Sequence, residues 1–307
     1  MPTRTTDRPT LLETPEALRR WSLRCHASGM TVGLVPTMGA LHQGHLSLVR
    51  RALAECDRVA VSIFVNPTQF GPGEDLDRYP RSPDADMQAL AAEGVHAAFV
   101  PSVEAMYPPN GAVTVRCTGP LGERLEAAHR PGHFDGVATV VAKLFVASRP
   151  HRAYFGAKDA QQCAVVRRVA EDLDTGVQVV VCPTLRDRDG LALSSRNAYL
   201  DDSSRSRALA IPAGLAAAAV LFDEGERDAA RLIDVVRVEL AAAMVDVDYV
   251  AVVEPERCTD VRIAGPGSEI LVAGRIEGTR LIDCLRLGVD DAPISAGVKQ
   301  RECSGSS

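Results

Sequence analysis

No C-x-x-C pair occurs anywhere in the chain. The eight cysteines, Cys25, Cys56, Cys117, Cys163, Cys182, Cys258, Cys284 and Cys303, are scattered, most of them in apolar surroundings such as VVVCPT and LIDCLRL. That spacing excludes a zinc cage or disulfide frame and reads as buried or free thiols in a reducing compartment. A run of about 18 apolar residues, the minimum for a membrane span, is also missing. The longest apolar-rich stretch, residues 211–222, contains Pro212 and Gly214. No membrane helix is expected. The opening MPTRTTDRPT lacks the apolar core of a secretory signal, so a cytoplasmic location is expected. Aromatic residues are scarce, 4% with one Trp, and positive charge is not in excess: Lys plus Arg 34 against Asp plus Glu 40, net −6. A nucleic-acid binder would need a basic face and stacking platforms, so an RNA-binding fragment is disfavoured. A local basic cleft for a small phosphate-bearing ligand stays open inside the acidic shell.

What is present is an ordinary globular composition, 46% hydrophobic and 24% charged over 307 residues, enough chain for about two domains. Apolar runs at 31–35, 59–65, 97–100, 153–155 and 177–181 predict strands, the run at 31–35 being the first buried one. They alternate with helical patterns at 14–23, 46–53, 84–93, 137–146 and 161–173. On the first of the loop-linked helices the apolar face is read as Leu46, Val49 and Leu53, with Leu48 and Ala52 on its flank. The alternation predicts an α/β fold: a doubly wound parallel-sheet, Rossmann-like N-terminal domain over residues 1–184, with ligands beyond the carboxyl ends of the strands. From 185 to 290, two helices (206–222 and 229–244) precede strands at 247–253, 270–276 and 279–285. This predicts a smaller α+β C-terminal domain closing over the site, followed by a flexible tail at 291–307.

Four clusters stand at the ends of predicted strands. His42-Gln43-Gly44-His45 sets two imidazoles three residues apart at a helix start, where backbone N–H groups and the dipole favour a phosphate. A capping and packing role for the pair is equally open. No Glu-x-x-His or Cys cluster accompanies them to favour zinc. In SIFVNPTQF, Asn66 and Gln69 offer amides that could fix a hydroxyl or carboxylate, although Asn-Pro alone is an ordinary turn. Gly156-Ala157-Lys158-Asp159, with Gln162 one turn on, suits a nucleotide, Lys158 for phosphate and Asp159 for ribose, or is a solvated helix start. Ser194-Ser195-Arg196-Asn197 is either an anion clamp or an N-cap followed by a surface arginine.

Taken in order, PTMGALHQGH (residues 36–45), SIFVNPTQF, EDLDRYPR, RPGHFDGV, GAKDAQQ and LSSRN resemble the pantothenate synthetase, or pantoate–beta-alanine ligase, family over residues 31–285. The histidine and Ser-Ser-Arg-Asn elements also resemble signatures of the class I synthetase-like nucleotidyltransferase superfamily. A member of that superfamily using a phosphate ester is disfavoured, because Gln69 and Gln162 are amides where more cations would be needed. The resemblance implies a ligase that joins pantoate to beta-alanine at the expense of ATP through a pantoyl adenylate, releasing pyrophosphate and AMP. It implies that Met38, Gly39, His42 and His45 belong to the ATP loop, His45 as proton donor and phosphate contact. Gly156, Lys158 and Asp159 would contact ribose and phosphates, Leu185 and Leu193 adenine, and Ser194, Ser195 and Arg196 the triphosphate. His45, His42, Lys158 and Arg196 would carry the chemistry. Gln69 and Gln162, with Arg130 and His133 nearby, would hold pantoate, and Gln69 beta-alanine. Magnesium is expected with ATP, its protein ligands unassigned, with no organic prosthetic group, no nucleic-acid or membrane partner, and a homodimer formed through the first domain. Ala127, Ala157, Ala160 and Leu193 depart from the family pattern.

Overall fold

The computed structural model describes residues 8–293. Cys303 and the expected tail from 294 onward lie outside them. Among the described residues the chain forms two compact units, one running to Leu185 and including Pro255–Thr259, the other comprising Arg186–Glu254 and the chain from Asp260 on.

The first unit is assembled from β1 (Thr10–Leu12), α1 (Pro15–Ala27), β2 (Val32–Thr37), α2 (Gln43–Glu55), β3 (Arg58–Ile63), α3 (Pro83–Glu93), β4 (Ala97–Phe99), three four-residue helices α4 (Val103–Met106), α5 (Pro120–Glu123) and α6 (Glu126–His129), α7 (His133–Ser148), β5 (Arg152–Gly156), α8 (Ala160–Asp172) and β6 (Gln178–Cys182). Its six strands lie in the order β1-β4-β3-β2-β5-β6, every neighbour parallel. This is the doubly wound α/β fold expected from the alternation. Val59, Ala60, Val61 and Ser62 are buried in succession, as a parallel strand covered on both faces requires. Local signals set the helix ends. The Thr14 hydroxyl accepts from Ala17 N, ahead of Pro15 at the first helical position, and Gly94 stops α3 at φ 80°.

Two details differ from the sequence reading. A short edge strand not read from the sequence, β1, precedes the one at 31–35 and pairs with β4. On α2 the core face centres on Leu48, Val49 and Ala52, with Leu53 at its margin, because the helix packs on both β2 and β5.

β2 has β3 on one side and β5 on the other. The chain therefore winds outward in both directions from the gap between β2 and β5, and the loops leaving these two strands diverge there. Such a switch point is the general ligand-binding position of open parallel sheets.

The second unit contains α9 (Asp202–Ala208), α10 (Ala210–Asp223), α11 (Ala229–Ala242), β7 (Asp246–Glu254), β8 (Thr259–Asp260, which straddles the division), β9 (Glu269–Ile276) and β10 (Thr279–Arg286). β7, β9 and β10 are antiparallel. The β9–β10 turn rests on Glu277 and Gly278, at φ 48° and 80°, the double positive φ of a tight hairpin. Leu215, Phe222, Leu232, Val236, Ile270 and Leu285 share its core. The helix expected at 206–222 divides at Leu209 and starts earlier. Together 202–223 is long and apolar enough to cross a membrane by length and composition, yet 56% of its most apolar window is buried inside the protein, the pattern of a core helix.

Candidate active site

The loop leaving β2 is fastened before it reaches its histidines. Thr37 donates its hydroxyl to Ser62 O (2.7 Å) and accepts from Gly39 N (3.2 Å). Gly39 and Ala40 then turn the chain at φ 82° and 49°. The carboxylate of Asp86, buried on α3, accepts from Ala40 N (2.9 Å) and Leu41 N (2.8 Å). A Cβ on Gly39 would stand 3.0 Å from that carboxylate.

His42 caps α2: its Nδ1 accepts from Gly44 N (3.1 Å), while His45 Nδ1 accepts from His42 N (3.4 Å). The capping role is thus realised. It also assigns the tautomers, because each Nδ1 is an acceptor and the remaining proton sits on Nε2. The two rings lie 4.0 Å apart, tilted by 31°. Burial, then His42, then the Lys158 ammonium, push the His45 imidazole down to about 3. His45 is therefore a neutral N–H donor at the positive end of a helix.

On the other side of the switch point, β5 ends at Gly156. A Cβ there would meet nothing within 4 Å, so the surface at this turn is open. Ala157 N donates to Cys182 O (2.8 Å), Lys158 Nζ stands 3.9 Å from Asp159 Oδ2, and Asp159 precedes α8 without capping it through its side chain. Two adjacent glutamines then part ways. Gln161 is consumed by the fold: its amide donates to Leu121 O and Arg124 O (both 2.9 Å) and accepts from Glu126 N (3.0 Å). Gln162, half-buried, has none of these bonds. Ala160 and Ala127, two of the departures from the family pattern, are buried.

The turn after β3 is held by many side-chain hydrogen bonds. Asn66 Oδ1 accepts from Thr68 N (3.3 Å), the Thr68 hydroxyl (2.9 Å) and the Tyr107 hydroxyl (2.8 Å). Its Nδ2 donates to Gly136 O (3.2 Å) and to Gln69 Oε1 (2.9 Å). The Gln69 carbonyl is gripped by His133 Nδ1 (2.8 Å) and Arg130 Nη2 (3.1 Å). Arg130 also makes two bonds to Glu74 (2.8 and 2.7 Å) and one to His133 Nε2 (3.2 Å). Burial, reinforced by Arg130, holds the His133 imidazole down to about 4. Glu74 lies below the usual carboxylate range because Arg130 outweighs the opposing effect of burial. Arg130 and His133 thus act on the backbone of Gln69. Gly136, in the first turn of α7, packs against the same turn so closely that a Cβ would lie 2.2 Å from Thr68 O.

Leu185 ends the first unit, 40% exposed. Within the second unit, Leu193 precedes Ser194, whose hydroxyl accepts from Arg196 N (3.3 Å) and caps a short 3-10 turn, Ser195–Tyr199. Asn197 Nδ2 donates to Ala192 O (3.0 Å). The loop before this turn is braced by Arg186 on Asp283 (2.6 and 3.1 Å) and by Arg205 on Asp187 and Asp189.

Sequence reasoning did not assign Asp86, Glu74, Gln161 or Tyr107. Asp86 sits in an acidic helix start and Glu74 in the EDLDRYPR segment, which are weak signals; for Tyr107 there was none. Among the described residues no group of three or more His, Cys, Asp or Glu side chains could hold a metal ion.

Comparison with known proteins places these features in a family context. Residues 10–286 match the family model described as pantoate-beta-alanine ligase. A pantothenate synthetase of Rubrobacter xylanophilus is 51% identical over 284 residues, covering 89% of this chain and 97% of that protein. The crystal structure of pantothenate synthetase from Thermus thermophilus aligns with a TM-score of 0.86 at 46% identity, covering 90% of this chain and 99% of the other. The pantoate-beta-alanine ligase of Francisella tularensis, solved in complex with beta-gamma ATP and beta-alanine, aligns with a TM-score of 0.74 at 30% identity, covering 91% and 97%.

Proposed function

The chain belongs to the pantoate-beta-alanine ligase family, and we propose that it condenses pantoate with beta-alanine at the expense of ATP through a pantoyl adenylate. The observation that carries the reading is that a half-buried, neutral His45 at the start of α2 feels the ammonium of Lys158 from the loop after β5, on the other side of the switch point. A neutral N–H donor within the field of a point cation suits a group whose negative charge moves toward a departing phosphate.

A carboxylate is a poor acyl donor, because its leaving group would be oxide. In the first step a pantoate carboxylate oxygen attacks the α-phosphorus of ATP and pyrophosphate leaves. In the second the beta-alanine nitrogen attacks the acyl carbon, the acyl C–O bond breaks, AMP departs and the nitrogen loses a proton. The protein's contribution is positioning and charge stabilisation. Met38, Gly39 and His42 shape the turn against ATP, and His45 and Lys158 face the phosphates. Gly156 leaves open surface for the nucleotide, with Asp159 on the ribose. Gln69 and Gln162 bind pantoate, Gln69 serves beta-alanine, and Arg130 with His133 keeps Gln69 in place. Leu185 and Leu193 are assigned to adenine, and Ser194, Ser195 and Arg196 to the phosphates. Magnesium is proposed to arrive on the nucleotide's own oxygens, the usual mode for this ion. A cytoplasmic homodimer completes the reading.

The test is incubation with pantoate, ATP and magnesium but no amine. Pyrophosphate should appear in a burst of about one equivalent, and hydroxylamine should trap pantoyl hydroxamate. Pyrophosphate release that strictly required beta-alanine would refute the two-step scheme.

A further inference from the structure

Tyr107 belongs to none of the motifs that carry the family resemblance. It closes the four-residue helix α4, far in sequence from both the phosphate loop and the turn after β3. Its hydroxyl nevertheless donates to Asn66 Oδ1 at 2.8 Å. Its ring packs near Phe64, with centroids 6.2 Å apart, and the Lys143 ammonium lies over its face at 5.8 Å. Burial raises its titration above the usual phenol range, so the hydroxyl keeps its proton and remains a donor.

The direction of each bond in this chain is determined. Thr68 N is a backbone donor and Gly136 O a backbone acceptor, so the Asn66 amide has one possible orientation, with oxygen toward Thr68 and Tyr107 and nitrogen toward Gly136. The second hydrogen of that nitrogen goes to Gln69 Oε1. Gln69 is consequently held oxygen-inward, and the atom left for a ligand is its NH2. We infer that Tyr107 is a positioning residue for pantoate recognition, acting through Asn66 to hold Gln69 as a hydrogen-bond donor toward an acceptor oxygen of the substrate. The inference rests on the proposed ligase reading. It adds what that reading leaves open: the polarity of the Gln69 contact, and the residue that maintains it. A site built this way discriminates against acids that present no acceptor at this point, since the buried amide would then lose its partner.

The test uses two variants of the full chain, with pyrophosphate release as the readout. Tyr107→Phe keeps the ring over Phe64 and Lys143 and removes only the donor. It should raise the KM for pantoate by about three- to tenfold, the range for one hydrogen bond, with the KM for ATP and the melting temperature unchanged. Gln69→Glu keeps the shape but, once ionised, offers only acceptors. It should be severely impaired toward pantoate at pH 8 and recover relative to wild type as the pH is lowered, because a buried carboxyl titrates above its usual range and donates when protonated. An unchanged pantoate KM in Tyr107→Phe would overturn the inference, as would a Gln69→Glu defect that does not relax at low pH. Should Tyr107→Phe fail to fold, the Gln69→Glu profile decides alone. Wild-type protein that released no pyrophosphate from pantoate and ATP would refute the ligase reading instead.

Discussion

His45 offers the sharpest test of how charge is arranged at the phosphates, and His45→Gln is the informative perturbation. Glutamine fills similar space and can cap locally, but it replaces a rigid Nε2–H donor with a flexible amide. Removing one fixed donor aimed at developing phosphate charge costs about 2.7–4 kcal/mol of transition-state stabilisation, or roughly 100- to 1,000-fold in rate. Because the imidazole is held down to about 3, it is neutral throughout the working range. It acts as a neutral donor and carries no spare proton in the free enzyme. The wild-type profile of kcat/KM for ATP should therefore show no inflection near pH 6.5 that disappears in His45→Gln. Stability gives an independent check. A histidine whose folded pKa is depressed contributes fully above its unfolded value of about 6.5, and that contribution is lost as the pH falls toward about 3. The loss amounts to about 2 kcal/mol by pH 5. Melting temperatures of wild type and variant should accordingly converge on acidification from pH 7. Single-turnover adenylation paired with melting curves across pH makes both measurements. Wild-type adenylation in the variant, or an inflection near 6.5 that depends on His45, would refute the reasoning.

The paired glutamines separate structure from recognition. Gln161→Ala, which strands three backbone groups, two of them in buried bonds, should lower stability by about 1–3 kcal/mol, read as a reduced melting temperature. Gln162→Ala should raise the KM for pantoate with no thermal change; the reverse pattern would exchange their roles. Asp86→Asn turns one acceptor into a donor facing Ala40 N or Leu41 N. It should raise the KM for ATP by about tenfold while the KM for pantoate stays fixed, and equal effects on both substrates would argue for a general loss of packing.

The parallel sheet was legible wherever a strand is an uninterrupted apolar run, as in Val59, Ala60 and Val61, because burial on both faces writes itself into composition. β1 escaped detection because three residues carry no periodicity, and it is held as a strand by pairing with β4. α7 begins at His133, earlier than its apolar rhythm, since its first turn is shaped by contact with the Asn66 turn. The loop of His42 and His45 was legible as a cluster, and the family that the motifs suggested is the family to which the chain belongs. The parts that orient those residues were not. Asp86, Glu74 and Tyr107 approach from distant segments, and a hydrogen bond across 41 or 56 positions leaves no local trace in the sequence.

The absence of a side chain at Gly136 reaches beyond packing. In a population forced to make its own pantothenate, any missense change at that codon would push α7 away from the backbone of the turn that carries Gln69. On the proposed role of Gln69, the damage would fall on pantoate recognition even where the protein still accumulates. Of the changes at that codon only the four synonymous GGN triplets would be free to interchange. The turn that carries Gln69 is thus policed by a position on another element, and if that turn reads pantoate as proposed, a broader acid specificity could not be reached by a single mutation there. Such a variant would first need a compensating retreat of the helix, two steps that selection would have to take together.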